Sequence, residues 1–203
     1  MGWTDEIVSA TSGSFGAVAV SYDNHRTDSA GLDASVEVAR ELNRHGVGVN
    51  IHFVLSAQSV TLARSVLQGD LDERLSAFSA VVFLLLKPSG RANSGMVVRP
   101  GEDLKSFFRL VESPSTGLRI GFDACSVPLL LSSTDVSPLV IDSCEGGFFS
   151  VYIDENLVCS PCSFANVKTD RFDLMKTNFA TIWETGFKAY RSRVRQLHHE
   201  RCN

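Results

Sequence analysis

The chain reads as an α/β protein. A run of parallel β–α units, roughly half of a closed (β/α) barrel, comes first, and a small cysteine-bearing region follows. Three observations predict this. Short β-branched and apolar runs alternate with amphipathic stretches through residue 123, a pattern that implies βαβ units and a parallel sheet. After Asp123 the texture changes to short alternating segments rich in glycine and proline. All five cysteines (Cys125, Cys144, Cys159, Cys162 and Cys202) lie beyond that change. The expected division is therefore 1–123 and 124–203.

Composition narrows the classes. The 203 residues are 44% hydrophobic and 21% charged with a net charge of −4, which argues against a nucleic-acid surface. The longest strictly apolar run, Ala80–Leu86, is too short to cross a membrane. The N-terminal MGWTDEIVSATSG has no basic segment leading into an apolar one, so it is not expected to be a secretory signal. A reducing, cytoplasmic compartment is expected, where cysteines are thiols or metal ligands rather than disulfides.

Each element has its own signal. Residues 1–14 are small and polar, with one helical turn expected around Trp3–Val8. Gly16–Asp23 is a continuous apolar run ending in polar residues, the pattern of a strand buried on both faces. Leu32–His45 places Leu32, Val36, Ala39 and Leu42 on one helical face, with Gly46 as the stop. A second strand, Val47–Ser56, precedes a helix over Ser59–Leu67 and a shorter one over Asp70–Phe78. A third strand, Ala80–Pro88, leads through a loop to a helix opened by Asp103, in which Leu104, Phe107, Phe108 and Val111 share a face. Gly117–Asp123 is the fourth strand, and Val127–Asp142 reads as loop. Phe148–Asp154 alternates as a strand with a hairpin partner at Leu157–Ser160. From Phe172 the pattern is helical, closing with a basic helix over Phe187–Leu197.

In (β/α) barrels the chemistry gathers at the C-terminal ends of the strands. Those ends carry Ser21, Asp23, Asn24 and His25; Ser56 and Gln58; and Lys87, Ser89, Gly90 and Arg91. Lys87 and Arg91 are candidates to grip a carboxylate of cofactor or substrate, with a solvated loop as the alternative. Asn50 and His52 alternate on the second strand and point one way, His52 as a satisfied, buried histidine. Arg191, Arg193 and Arg195 read as the exposed face of their helix.

The run C-E-G-G-F-F-S-V-Y-I-D, then P-C-S-F, an I-W, an F-x3-R and a last cysteine resembles the C-terminal cluster domain of radical S-adenosylmethionine enzymes of the SPASM or Twitch type. Upstream, NIHFVLS, FLLLKPSGRA and IGFDACSVP are similar to the later strands of that family's barrel. The resemblance runs from about Val18 to Cys202. It implies the C-terminal half of a partial (β/α)6 TIM-like barrel followed by a SPASM/Twitch-like α+β domain. It also implies reductive cleavage of S-adenosylmethionine to a 5′-deoxyadenosyl radical and hydrogen abstraction from a substrate, often a peptide. The family's catalytic cluster sits on a Cys-x3-Cys-x2-Cys loop; no such motif occurs in this sequence, and no cysteine precedes Cys125. The expectation is that this chain binds S-adenosylmethionine productively only when a partner chain supplies the rest of the barrel.

The resemblance carries site residues as well. Cys125, Cys144, Cys162 and Cys202 become the ligands of an auxiliary [4Fe-4S] cluster, which needs one thiolate per iron. Gly146 and Gly147 would let backbone approach the sulfides, and Pro161 would set the turn presenting Cys162. Cys159 is read as a strand residue, with substitute ligation as the alternative. Zinc is the alternative metal for such a site, with His198 or His199 as a substitute ligand or else simply the solvated end of the basic helix, and unmetallated thiols are the third possibility. Ser21 and Asp23 match the position that holds the ribose of S-adenosylmethionine, or else form a strand-end turn that caps nearby amides.

Overall fold

A computed structural model describes residues 4–22, 29–70, 73–99, 101–137, 139, 141, 144–165 and 167–199. The chain divides into two compact units, Met1–Asp142 and Ser143–Asn203.

The first unit begins with α1 (Asp5–Ser14), longer than the single turn expected and opened by Thr4, whose side chain accepts from the Ile7 N–H. Then β1 (Ala17–Tyr22), α2 (Ser29–Arg44), β2 (Gly48–Leu55), α3 (Val60–Leu67), β3 (Ala80–Leu85), α4 (Glu102–Glu112) and β4 (Arg119–Phe122) alternate. The segment expected as a short helix before β3 is a 3-10 turn, Glu73–Ala77. Gly46, with φ of +78°, ends the α2 turn in the left-handed region. Gly101, not Asp103, precedes the first turn of α4.

All four strands are parallel, in the order β1-β2-β3-β4. Register puts Tyr22, Phe53, Phe83 and Phe122 in one row across the sheet. That row meets Phe107 and Phe108 of α4, with Phe83 edge-on to Phe107 at 5.0 Å between ring centres. Val36, Ala39 and Leu42 of α2 and Ala63, Val66 and Leu67 of α3 complete the same core. The side chains between these rows point to the other face of the sheet. There Ser21 pairs in register with His52, His52 with Val82, and Val82 with Gly121.

Two expectations change here. β1 is not buried on both faces: it lies at the edge of the sheet, and Ala17, Ala19 and Ser21 are exposed on the side away from the aromatic row. His52 is half-buried on that same side rather than enclosed in the core.

The stretch after β4 contains a further helix, α5 (Val127–Ser133), with Pro128 in its first turn, where a missing N–H costs nothing. Its Val127 and Leu130 are buried, and Leu130 joins the core of the first unit. The first unit therefore extends to Asp142 rather than ending at residue 123, because α5 packs on α4.

The second unit carries an antiparallel sheet in the order β5 (Tyr152–Ile153), β6 (Val158–Ser160), β7 (Phe172–Asp173). β5 is shorter than expected because Phe148, Phe149 and Ser150 all donate to the Glu145 carbonyl and form a turn instead. The β5–β6 hairpin does form, with Asp154 Oδ1 accepting the Asn156 and Val158 N–H groups. Phe172 opens a third strand, not a helix. Helical structure starts at α6 (Phe179–Thr181), capped by Asn178, and passes through a π turn, Ile182–Gly186, into α7 (Lys188–His199). A Cβ on Gly186 would lie 2.9 Å from the Phe172 ring, so the wide turn and the strand pack only with glycine there. The buried core is Cys159, Ile182 and Phe187, flanked by Phe172, Leu174 and Trp183.

Truncating Phe107, fully buried between the sheet and α4, is expected to cost about 4 kcal/mol of unfolding free energy. Urea titration of Phe107→Ala followed by circular dichroism measures it.

Candidate functional site

At the strand ends of the first unit, polar residues pair with one another. Ser56 and Ser59 are buried after β2 and cap each other: the Ser56 N–H donates to Ser59 Oγ at 2.9 Å, the Ser59 N–H donates to Ser56 Oγ at 3.2 Å, and Ser59 Oγ donates to the Val54 carbonyl. Ser56 is thus part of the fold and is not offered to a ligand. Lys87, after β3, is mostly buried and forms an ion pair with Asp123 at the end of β4. The carboxylate Lys87 grips in this structure is the protein's own. Asp123 also accepts from the Ser126 N–H at 3.0 Å and from the Ser126 hydroxyl, which closes the turn containing Cys125. Cys125 is exposed on that turn. Arg91 is exposed in the turn that follows β3, and Ser21 is exposed at the end of β1. Asp23 lies outside the described residues.

The cysteine turns of the second unit are built from short-range contacts. Cys162 is half-buried, and its Sγ accepts the Phe164 N–H at 3.3 Å. The Cys162 carbonyl accepts the Ser160 hydroxyl and the Ala165 N–H, which fixes the S-P-C-S-F turn. An amide aimed at sulfur favours a thiolate and tunes a metal held by it. Cys144 is also half-buried, two residues before Gly146. A Cβ on Gly146 would lie 3.4 Å from Cys162 Cβ and 2.9 Å from the Pro161 carbonyl, so the two cysteine-bearing turns pack directly together.

The glycine pair packs closely against protein atoms. Gly147 has φ of +72°, and a Cβ there would sit 2.9 Å from Pro161 and 3.0 Å from the Tyr190 ring. Pro161 and Tyr190 fill the space a Gly147 side chain would need.

The arginines of α7 are not merely a solvated face. Arg191 donates from Nε to the Gly147 carbonyl at 2.5 Å and from Nη1 to the Trp183 carbonyl at 2.6 Å, with its guanidinium 4.8 Å over the Trp183 ring. Arg193 pairs with Asp170, which is buried. Arg195 lies over Phe148 at 5.6 Å. One sequence signal pointed this way: Arg191 stands four residues after Phe187 and so shares the face of a fully buried residue. Nothing in the spacing marked Asp170.

Cys159 sits in β6, fully buried, paired in register with Ile153 and Phe172. Burial pushes its thiol above the ordinary value.

Of the four proposed ligands, the structure brings the Cys144 and Cys162 turns together. Cys125 belongs to the first unit, and Cys202 lies outside the described residues, as do the side chains of His198 and His199. Among the described residues no three His, Cys, Asp or Glu side chains converge on one point. The Cys144 and Cys162 turns fit a soft metal in donor chemistry, with sulfur ligands and one amide already directed at sulfur.

No protein-family model matches the chain, and no curated protein matches it in sequence. Solved structures do match. The structure of Streptococcus suis SuiB bound to S-adenosylmethionine aligns with a TM-score of 0.62 at 14% identity, covering 93% of this chain and 48% of that one. A second structure of Streptococcus suis SuiB aligns with a TM-score of 0.59, also at 14% identity and with the same coverage. The chain shares its fold with about half the length of these structures. A share of 93% cannot be reached without both units.

Two outcomes are expected. Gly147→Ala should destabilise the second unit by about 2 kcal/mol, as a side chain forced into the left-handed region against Pro161 and Tyr190; thermal unfolding of the variant measures it. The second concerns alkaline pH. An unfolded Cys159 thiol ionises at about pH 8.5, whereas the native thiol stays protonated to higher pH. Stability is therefore full below the ordinary thiol value and falls as pH rises through it. Urea midpoints between about pH 7.5 and about pH 10 should fall less steeply in Cys159→Ala than in the parent chain.

Proposed function

We propose that this chain is the C-terminal part of a radical S-adenosylmethionine enzyme and carries a SPASM- or Twitch-type auxiliary cluster domain. The observation that carries this reading is the fold shared, across 93% of the chain, with SuiB, whose structure was solved bound to S-adenosylmethionine. A parallel α/β sheet followed by a small unit with two packed cysteine turns is what such a chain requires. The auxiliary [4Fe-4S] cluster would be held by Cys125, Cys144, Cys162 and Cys202, with Cys159 left in the core. The hydrogen bond from the Phe164 N–H to Cys162 Sγ supports thiolate ligation there.

S-adenosylmethionine, when bound, supplies radical chemistry by one-electron cleavage. Ser21, exposed at the C-terminal end of β1, and Asp23 would meet its ribose. Lys87 acts there by keeping Asp123, and with it the Cys125 turn, in place. The sequence holds no Cys-x3-Cys-x2-Cys, so the catalytic cluster would come from the missing half of the barrel, supplied by a partner chain. The substrate class is a peptide, on the strength of the resemblance. The same absence of the motif favours a second reading, a non-catalytic iron–sulfur or zinc module that retains the cluster domain without the radical step.

Anaerobic reconstitution of the chain with ferrous iron and sulfide tests the reading. The expected result is iron and sulfide bound in near-equal amounts, lost in Cys125→Ala, Cys144→Ala, Cys162→Ala and Cys202→Ala but kept in Cys159→Ala. Zinc bound in preference to iron would select the module instead. Supplied with S-adenosylmethionine and a reductant, the isolated chain should form no 5′-deoxyadenosine; its formation would refute the partner-dependent scheme.

A further inference from the structure

The second unit ties its cysteine turns to its last helix through one side chain. Arg191 lies in the first turn of α7, half-buried, and its guanidinium bridges two backbone carbonyls from different segments. One belongs to Gly147, three residues past Cys144. The other belongs to Trp183, in the π turn. The guanidinium plane also rests on the Trp183 ring, which limits its rotation and adds a cation–π contribution. The neighbouring Tyr190 packs against Gly147, and its hydroxyl lies 3.4 Å from where a Gly146 Cβ would stand. Gly146 in turn abuts Cys162. Four segments thus meet around Arg191 and Tyr190: the C-E-G-G turn, the S-P-C-S-F turn, the π turn and the helix that leads to Cys202.

We infer that Arg191 is a positioning residue for the cluster site, a clamp that holds the Cys144 turn in register with the Cys162 turn. The inference rests on the reading that these cysteines are ligands, and it goes beyond that reading in assigning the residue that organises them. The geometry calls for arginine. A guanidinium presents Nε and Nη1 at a fixed spacing to two carbonyls, whereas a lysine ammonium keeps the charge but cannot reproduce that planar fork. With the bridge gone, the Gly147 carbonyl loses a charge-assisted bond, and the Cys144 turn keeps its own hydrogen bonds and its packing against Pro161 and Tyr190 but no directional tie to the π turn.

The test compares the parent chain with Arg191→Met, Arg191→Lys and Cys162→Ala. Each chain is reconstituted with ferrous iron and sulfide and titrated with an iron chelator. The iron-free chains are also alkylated under reducing conditions and the modified cysteines counted by mass spectrometry, with Cys125, in the first unit, as the internal reference. The clamp predicts that Arg191→Met and Arg191→Lys both give up iron about 10-fold more readily than the parent, the scale of losing a partner that orients a ligand. It also predicts faster alkylation of Cys144 relative to Cys125, with unchanged circular dichroism. Should Arg191→Met fail to fold, Arg191→Lys decides. Parent-like iron retention and alkylation in Arg191→Lys would overturn the clamp while leaving the cluster reading intact, provided Cys162→Ala loses its iron. A parent chain that takes up no iron would overturn both.

Discussion

The parallel register of four strands is the constraint on which the first unit depends. It aligns Tyr22, Phe53, Phe83 and Phe122 into one row, and that row decides which face of the sheet α4 must cover. Once Phe107 and Phe108 are seated against it, a shift of one residue in any strand would turn an aromatic side chain to the opposite face. The same register therefore also decides where Ser21, Asn50 and His52 stand. They share the other face because their neighbours in sequence are spoken for by the core.

The second unit is held together differently. Its buried apolar core is small: Cys159, Ile182 and Phe187, with a ring of half-buried neighbours. A unit of this size gains little from burial alone and needs staples. The structure supplies them as charged side chains on backbone and carboxylate groups: Arg191 across two carbonyls, Arg193 on buried Asp170, and Arg171 on Asp154. A metal bound at the cysteine turns would add a further staple, since the free energy of metal binding is also folding free energy where the site is not preformed. The two polar strategies meet at the C-E-G-G turn, where a glycine pair admits Pro161 and Tyr190 and an arginine takes the carbonyl.

Much of the fold was legible in the sequence for a simple reason. Long amphipathic helices and apolar strands carry a strong period, and α2, β2, β3 and α4 have it. The elements that were misread are short. α5 is about two turns with a proline in it, and β7 is two residues long; neither is long enough to display a period. β5 lost its first half to the Glu145 carbonyl, which gathers three N–H groups, a competition that no alternation pattern reveals. The domain boundary moved for the same reason, since α5 counts with whatever it packs on.

The cysteines and their turns stood out in the sequence because glycine, proline and thiol have chemistry that does not depend on context. Residue type alone determined that Gly147 could adopt its positive φ, that Pro161 could shape a turn, and that thiols were available to a soft metal. Tertiary structure decided what each of these meets. It put Cys159 in the core, Lys87 on Asp123, Ser56 on Ser59, and Arg191 on the carbonyls of Gly147 and Trp183. Lys87 and Asp123, and Arg191 and Gly147, lie on different elements tens of residues apart, whereas the serine pair and the Arg191–Trp183 contact are closer in sequence. Which polar groups find each other is settled when the backbone closes and leaving a buried donor or acceptor unpaired becomes costly. A linear sequence lists the donors and acceptors; the packing of the elements assigns them to one another.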